Sequence, residues 1–264
     1  MNPIVVKPVT EALLHDFTTL CISGSKQPGE VYLRGAREMT DWATAMLRRF
    51  GMVGKLAFLD GKPAGILVCR PEPEQQVLRI KCIFVPDEKQ TGKGLGKALW
   101  LSLLAESRLP HPVFGGKPPR ALVVRAFANP AHLTQPVFFR NLGFVEVPGP
   151  DTDLLYYPLE PGYVYQPSPE KGYAPSPEDR GCARVRYDPA CPHCLFFAEQ
   201  SRKMLEETVP GIPVTVVNKF QEGETTGQSL ELPPCVVNGQ PIAATLWDPG
   251  FREEAKQAWN SGPS

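Results

Sequence analysis

The chain has 264 residues, 42 % of them apolar, and its 28 Lys and Arg are balanced by 28 Asp and Glu. That is enough chain for one large domain or two ordinary ones with a proper core. The zero net charge removes the electrostatic footprint of a nucleic-acid binder and leaves room only for a local basic patch.

No run of about 18 apolar residues predicts a membrane-spanning helix. The N-terminal stretch "MNPIVVKPVTEALLHDF" has no basic segment followed by a long apolar one, so the cytoplasm is the expected compartment. Of the seven cysteines, Cys21, Cys69 and Cys82 stand singly and read as packing thiols in a reducing compartment.

In chain order, "NPIVVKPVT" predicts a first strand, and "EALLHDFTTLC" and "AREMTDWATAMLRRFG" predict two helices, the second starting at Ala36 and closing on Gly51. "KLAFLDGKPAGILVCRP" predicts two strands around an Asp60-Gly61 hairpin turn. "QVLRIKCIFVP" is a third long strand that ends near Pro86. Residues 94–109 form a helix apolar on most faces. After a Pro/Gly-rich loop come a strand in "RALVVRAFA", a short helix in "QPVFFRNLGF", and short strands in "FVEVPG" and "DLLYYPL".

Residues 160–180 hold five prolines and almost no aliphatic side chains. Proline at that density joins neither a helix nor a central strand, so an extended linker is expected, with Tyr163, Tyr165 and Tyr173 available as anchors. From Gly181 a second pattern begins. "CARVRYD" is a strand and "CPHCLFFAEQSRKMLEETV" is a helix expected to bury Cys194, Phe197, Ala198 and Leu205. "IPVTVVNKF" is a strand and "PPCVVNGQPIAATL" is a hairpin on Asn238-Gly239. "FREEAKQAW" is a helix expected to bury Phe251, Ala255 and Trp259. The expected domains are therefore residues 1–159, a linker over 160–180, and residues 181–264.

Two motifs carry chemistry. "TGKGLGKAL" places consecutive backbone N–H groups between a strand and a buried helix, where the helix dipole and Lys93 and Lys97 favour a phosphate. The bland reading is that the glycines only let the helix pack on the strand. "CPHC" puts Cys191 at a helix start, where unpaired N–H groups favour a thiolate, and Cys194 one turn later, able to resolve a mixed disulfide. The competing readings are an inert pair of packing thiols and a metal site. One CxxC pair with Cys182, Cys235 and His193 falls short of the two CxxC pairs typical of structural zinc, so no metal is expected.

The order of elements over residues 1–159, with "GKGLGKAL" after "IKCIFV" and "FFRNLGF" at residues 138–144, resembles the GNAT acetyltransferase family. The resemblance implies a mixed α/β fold with a mostly antiparallel sheet and helices on both faces. It implies acetyl-CoA as cofactor, with its pyrophosphate on Gln90, Thr91, Gly92, Lys93, Gly94, Leu95, Gly96 and Lys97. It also implies pantetheine along Ile83, Phe84 and Val85, and a contact from Asn129. The acceptor is an amine on a small molecule or a protein.

The chain departs from that family's pattern at two points. Thr91 stands where Arg or Gln is usual, with Gln90 one position earlier. Phe139 stands where many members carry the tyrosine that protonates the leaving thiolate. For the base, Glu30, His15, Asp87 and Glu88 are candidates, and none is singled out.

Residues 181–264 resemble the thioredoxin fold, and a cis-proline role falls to Pro233, with Pro234 second. Together the halves resemble the YoaP-like two-domain acetyltransferases. The function expected is an N-acetyltransferase with an appended CxxC domain. The alternative is a thiol-redox protein, or a metal- or metalloid-handling one with Cys191, Cys194 and Cys235 as ligands, whose GNAT half is a degenerate acyl-CoA-binding module.

Overall fold

A computed structural model describes residues 3–23, 29–126, 135–149, 153–167, 173–226 and 232–261. It is a mixed α/β structure that divides into two compact units, Met1–Lys26 with Ala43–Ser168, and Gln27–Trp42 with Pro169–Ser264. No helix among the described residues is long and apolar enough to cross a membrane.

The first unit is a seven-stranded sheet. Its strands are β1 (Val5–Pro8), β2 (Gly54–Leu59), β3 (Lys62–Glu72), β4 (Val77–Phe84), β5 (Ala121–Arg125), β6 (Val145–Glu146) and β7 (Leu154–Pro158), in the order β1-β2-β3-β4-β5-β7-β6. Every neighbouring pair is antiparallel except β4 and β5. The β2–β3 hairpin turns on Asp60 and Gly61, both with positive φ (54° and 75°), as the twist of the flanking strands requires of a two-residue turn.

Parallel strands need a crossover, and helix α3 (Leu95–Ser107) lies on the connection between β4 and β5. It lays Leu95, Leu99, Trp100 and Leu103 into a core with Leu67, Leu78, Leu122 and Leu155. Trp100 meets Phe144 at 5.0 Å and Tyr157 at 5.2 Å between ring centres. Lys55 of β2, 4 % exposed, is ion-paired with Glu106 of α3, which ties the far end of that helix to the sheet.

The other face of the sheet packs Val77, Ala121, Val123, Leu154 and Tyr156 around Tyr165. A polar knot borders it. Arg79 grips Glu72 through Nε (2.6 Å) and Nη2 (3.0 Å), and that Nη2 also donates to the Tyr165 hydroxyl (3.0 Å). The hydroxyl in turn donates to Gln75 Oε1 (3.0 Å). The proline-rich stretch is thus held on this unit by a buried tyrosine, and Arg120 lies over Tyr163 at 4.1 Å.

The second unit has strands β8 (Ala183–Tyr187), β9 (Val214–Asn218), β10 (Cys235–Val237) and β11 (Gln240–Pro241) in the order β11-β10-β8-β9. β8 and β9 are parallel, with helix α5 (Pro192–Thr208) between them in the chain; the other pairs are antiparallel. The β10–β11 hairpin turns on Asn238 and Gly239 (φ 47° and 80°). Helices α6 (Lys219–Thr226) and α7 (Phe251–Ser261) complete this part of the chain.

α5 buries Leu195, Ala198 and Leu205 rather than Phe197, which is 38 % exposed and meets the exposed Trp247 edge-on at 5.4 Å. Phe197 lies one residue from Ala198, about 100° round the helix and off its buried face. α7 buries Phe251, Ala255 and Ala258, with Trp259 only partly covered. The proline-rich stretch is also tied down here: Asp179 accepts from the Tyr173 hydroxyl (2.7 Å) and from both Ser176 N–H and Oγ (2.6 and 2.9 Å).

The two remaining helices are α1 (Leu14–Thr19) and α2 (Glu30–Phe50). α1 is a short piece between two 3₁₀ turns, less than the helix expected over residues 11–21. α2 begins at Glu30 instead of Ala36 and carries Gly35 in its interior, at a cost of about 1 kcal/mol relative to alanine. Its residues up to Trp42 belong to the second unit and the remainder to the first.

The knot around Glu72 sets a test. Burial pushes its carboxyl up, but the hydrogen bond and charge of Arg79, with Arg70, outweigh that and hold it below the ordinary range. A carboxyl lowered on folding contributes stability in full above its unfolded value and loses it as pH falls through the folded one. Glu72→Gln should therefore cost about 3 kcal/mol near neutral pH, because it leaves the largely buried Arg79 unpaired. In thermal melts the gap between variant and parent should narrow as pH is lowered into the acid range.

Candidate functional site

Two stretches place chemistry-bearing groups together, one in each unit. In the first unit the feature is where β4 and β5 part. Residues 77–80 of β4 are registered against residues 121–124 of β5, and no further pair follows among the described residues. On its other side β4 stays registered with β3 through Phe84, after a bulge in which Val68 pairs Cys82 and Cys69 pairs Ile80. Ile83 and Phe84 thus have sheet on the β3 side and no registered β5 residue opposite. With Val85 they are part-buried.

The chain then makes a 3₁₀ turn over Glu88–Gln90 and enters the glycine loop. Gly92 and Gly94 both take left-handed backbone (φ 81° and 88°), which other residues adopt at a cost of roughly 1–2 kcal/mol. Gly94 is the N-cap of α3, and its carbonyl accepts from Ala98 N–H at 2.9 Å. The N–H groups of Leu95, Gly96 and Lys97, in the first turn, have no acceptor within the helix. Residues 91–94 and Lys97 are exposed.

The glycines differ in what they do. A methyl group on Gly94 would meet nothing nearer than Ile4 Cδ1 at 4.0 Å, so open space lies above the helix start. On Gly96 it would press on Phe138 at 3.2 Å, so that glycine serves packing, as the bland reading expects. Gln90 supplies an irregularity: its Oε1 is buried with no hydrogen-bond partner among the described residues.

Phe138 and Phe139, at 5.3 Å between rings, divide two tasks. Phe138 is part-buried against Gly96. Phe139 is 1 % exposed, edge-on to Phe144 at 5.0 Å within the main core. Asn129 lies outside the described residues.

In the second unit β8 runs into a turn in which Asp188 Oδ1 accepts from Ala190 N–H at 2.9 Å. Cys191 is the N-cap of α5, in extended backbone, and Pro192 takes the first helical position, where its missing N–H costs nothing. A hydrogen bond from the Cys194 thiol pulls the Cys191 thiol below its ordinary value. Burial opposes that, and the backbone N–H groups of His193 and Cys194 add to it. Cys235 lies in β10 opposite Val185, and burial pushes its thiol up to about 12. No group of three His, Cys, Asp or Glu side chains fit to hold a metal ion occurs among the described residues.

Pro233 and Pro234 follow trans peptides, and no cis bond occurs among the described residues, contrary to the cis-proline expected at Pro233. The carbonyls there are engaged with β8. Pro234 accepts from Arg186 N–H at 2.7 Å and Pro233 from Arg186 Nη1 at 3.3 Å.

A third component of this unit was not expected from the sequence. The first half of α2 lies on the CPHC turn. Tyr32 stacks on Phe196 at 4.7 Å and meets His193 edge-on at 5.4 Å. A methyl on Gly35 would overlap the carbonyl oxygen of Pro192 and lie 3.1 Å from its Cα. Arg34 is ion-paired with Glu199, and Asn218 Nδ2 donates to Glu38 at 2.8 Å. Gly35 is the one available sequence signal: an isolated glycine in a helical pattern marks close backbone approach.

No protein-family model matches this chain, and no curated protein matches it. Solved structures similar to it include acetyltransferases. An N-acetyltransferase from Staphylococcus aureus is 18 % identical over 60 % of this chain and 98 % of that one, with a TM-score of 0.41. A GNAT family acetyltransferase from Brucella melitensis in complex with acetyl-CoA is 15 % identical over 61 % and 91 %, with a TM-score of 0.39. An N-acetyltransferase from Thermoplasma acidophilum in complex with coenzyme A is 15 % identical over 59 % and 99 %, with a TM-score of 0.39.

Proposed function

We propose that the first unit is an acetyl-CoA-dependent N-acetyltransferase of the GNAT type, acting on an amine, and that the second is a thioredoxin-like domain with a working dithiol. The observation that carries the first part is the parting of β4 and β5 beside the helix start. It leaves the backbone of Ile83, Phe84 and Val85 with no β5 partner among the described residues, and the chain leads from there into the exposed residues 91–94.

The residues fit such a cofactor. The first-turn amides of α3, with Lys93 and Lys97, suit a pyrophosphate. The backbone of residues 83–85 suits the amides of an extended pantetheine arm, which would lie there as an added strand. The buried Gln90 oxygen suits a donor of the ligand. When bound, acetyl-CoA supplies an acyl carbonyl activated for attack by an amine.

The protein's part is positioning and electrostatics. The Phe84 N–H would steady the negative charge that develops on the carbonyl oxygen, and the strand would hold the two reactants in line. The amine proton must pass to a base that the geometry leaves unassigned. Phe139 neither donates a proton nor faces solvent, so it takes no part in proton transfer. That burial favours a second reading, in which this unit binds acyl-CoA without turning it over. Turnover of acetyl-CoA against a panel of amines separates the two.

For the second unit, the strand order and the βαβ start support the thioredoxin-like reading, and the lowered Cys191 thiol at the head of α5 supports a dithiol that attacks disulfides. A reducing cytoplasm is the compartment in which the pair would rest as thiols.

Three outcomes are expected. Gly94→Asn should fold, since asparagine tolerates left-handed backbone, yet weaken coenzyme A binding by about tenfold or more in calorimetry, by filling the space above the α3 amides. Unchanged affinity would remove the phosphate assignment. Phe139→Tyr should lower thermal stability by about 1–3 kcal/mol, because the hydroxyl enters an apolar core, and should not raise turnover. Iodoacetamide at near-neutral pH, followed by peptide mass spectrometry, should label Cys191 before Cys194. The preference should persist as pH falls below the ordinary thiol range, and equal labelling would point to packing thiols.

A further inference from the structure

The CPHC turn carries an internal cover made by the first half of α2. Pro192 is buried, with the backbone of Gly35 against its carbonyl. His193 and Phe196 have the Tyr32 ring against them. Cys191 itself is only part-buried. The segment is held firmly within this unit: Val31 packs on its core, Arg34 pairs with Glu199, Glu38 accepts from Asn218, and Tyr187 has its hydroxyl pushed up to about 12 by burial and then by Glu38. A thiol at such a turn is reached by a slender reagent. A disulfide within a peptide brings backbone on both sides of its sulfurs, and that backbone needs the surface that Tyr32 and Gly35 occupy.

We infer that residues 29–42 make the Cys191–Cys194 dithiol selective for low-molecular-weight disulfides over disulfides carried by a polypeptide. The inference rests on the dithiol reading proposed above. The reaction is an ordinary exchange. The Cys191 thiolate attacks one sulfur of R–S–S–R, the sulfur–sulfur bond breaks, and the first R–S⁻ leaves and takes up a proton. Cys194 loses its proton, attacks the Cys191 sulfur and displaces the second R–S⁻, which is protonated in turn. The disulfide gains two electrons and becomes two thiols; the protein loses two and closes Cys191–Cys194. Gly35 and Tyr32 act on which disulfide arrives and not on the exchange itself, so they set specificity.

The test uses the full chain, reduced and freed of reductant, mixed with bis(2-hydroxyethyl) disulfide or with insulin, and follows Cys191–Cys194 closure by peptide mass spectrometry. Gly35→Ala pushes the helix off Pro192, and Tyr32→Ala opens the same surface without crowding it. Circular dichroism and melting confirm folding, and Tyr32→Ala carries the test if Gly35→Ala does not fold. The parent should react with the small disulfide and hardly with insulin. In a folded variant the insulin rate should rise by about tenfold or more while the small-disulfide rate changes by less than about threefold. If parent and variants discriminate equally, the cover has no role and the dithiol reading stands. If neither disulfide closes the pair in parent or variants, the dithiol reading falls and takes this inference with it.

Discussion

Four residue pairs of parallel ladder decide where β4 and β5 part. Residues 77–80 and 121–124 hold β4 and β5 together, and beyond them β4 is carried by β3 while β5 has no register with it. A parallel pair needs a crossover, and α3, which belongs to it, starts at the end of the sheet where the pair separates. The helix start and the parting of the two strands therefore share one origin. At the closed end, Arg79, opposite Val123, binds Glu72 of β3 and the Tyr165 hydroxyl, so β4 is tied there to β3 and to the segment that follows β7. At the far end of α3, Lys55 and Glu106 fix the helix to β2. What is left, among the described residues, is a strand end with no β5 partner and the first turn of α3.

The second unit depends in the same way on β8. It pairs with β9 on one side and β10 on the other, and it delivers the chain into the turn that sets Cys191 at the head of α5. Its two arginines are neutralised on the spot. Arg186 binds Glu222 through Nε (2.6 Å) and Nη2 (3.0 Å), and Arg184 pairs with Glu222 and Asp179. These pairs hold α6 and the proline-rich segment to the sheet whose strand β8 leads into the CPHC turn.

Local signals in the sequence were read well where one residue type carries the geometry. Asp60-Gly61 and Asn238-Gly239 turn as such pairs do because both positions need positive φ, and α3 lies where its apolar run and glycine N-cap put it. Phe197 was misread because apolarity alone does not say which side of a helix is covered. The sequence pattern puts the start of α2 at Ala36, whereas the helix begins at Glu30 and runs through Gly35. The cover over CPHC joins residues far apart in the chain, and no local pattern announces such a contact. The part played by Phe139 was legible as chemistry, since phenylalanine donates no proton, but its depth in the core depends on Phe144 and on neighbours that only the fold supplies.

The close approach of Gly35 to Pro192 also bears on how this protein can diverge. A carbonyl that lies where a methyl would go permits one amino acid at position 35, whatever the helix would prefer on its own. A lineage that gives up the dithiol loses the reason to keep that turn tight, and alanine, the better helix former, becomes acceptable at 35 once the turn recedes. A lineage that keeps the cysteines and acquires a larger residue there must move the helix and uncover them. Glycine at 35 and the CPHC turn should therefore be inherited together or lost together, and a descendant found with one and not the other would have changed what its thiols meet.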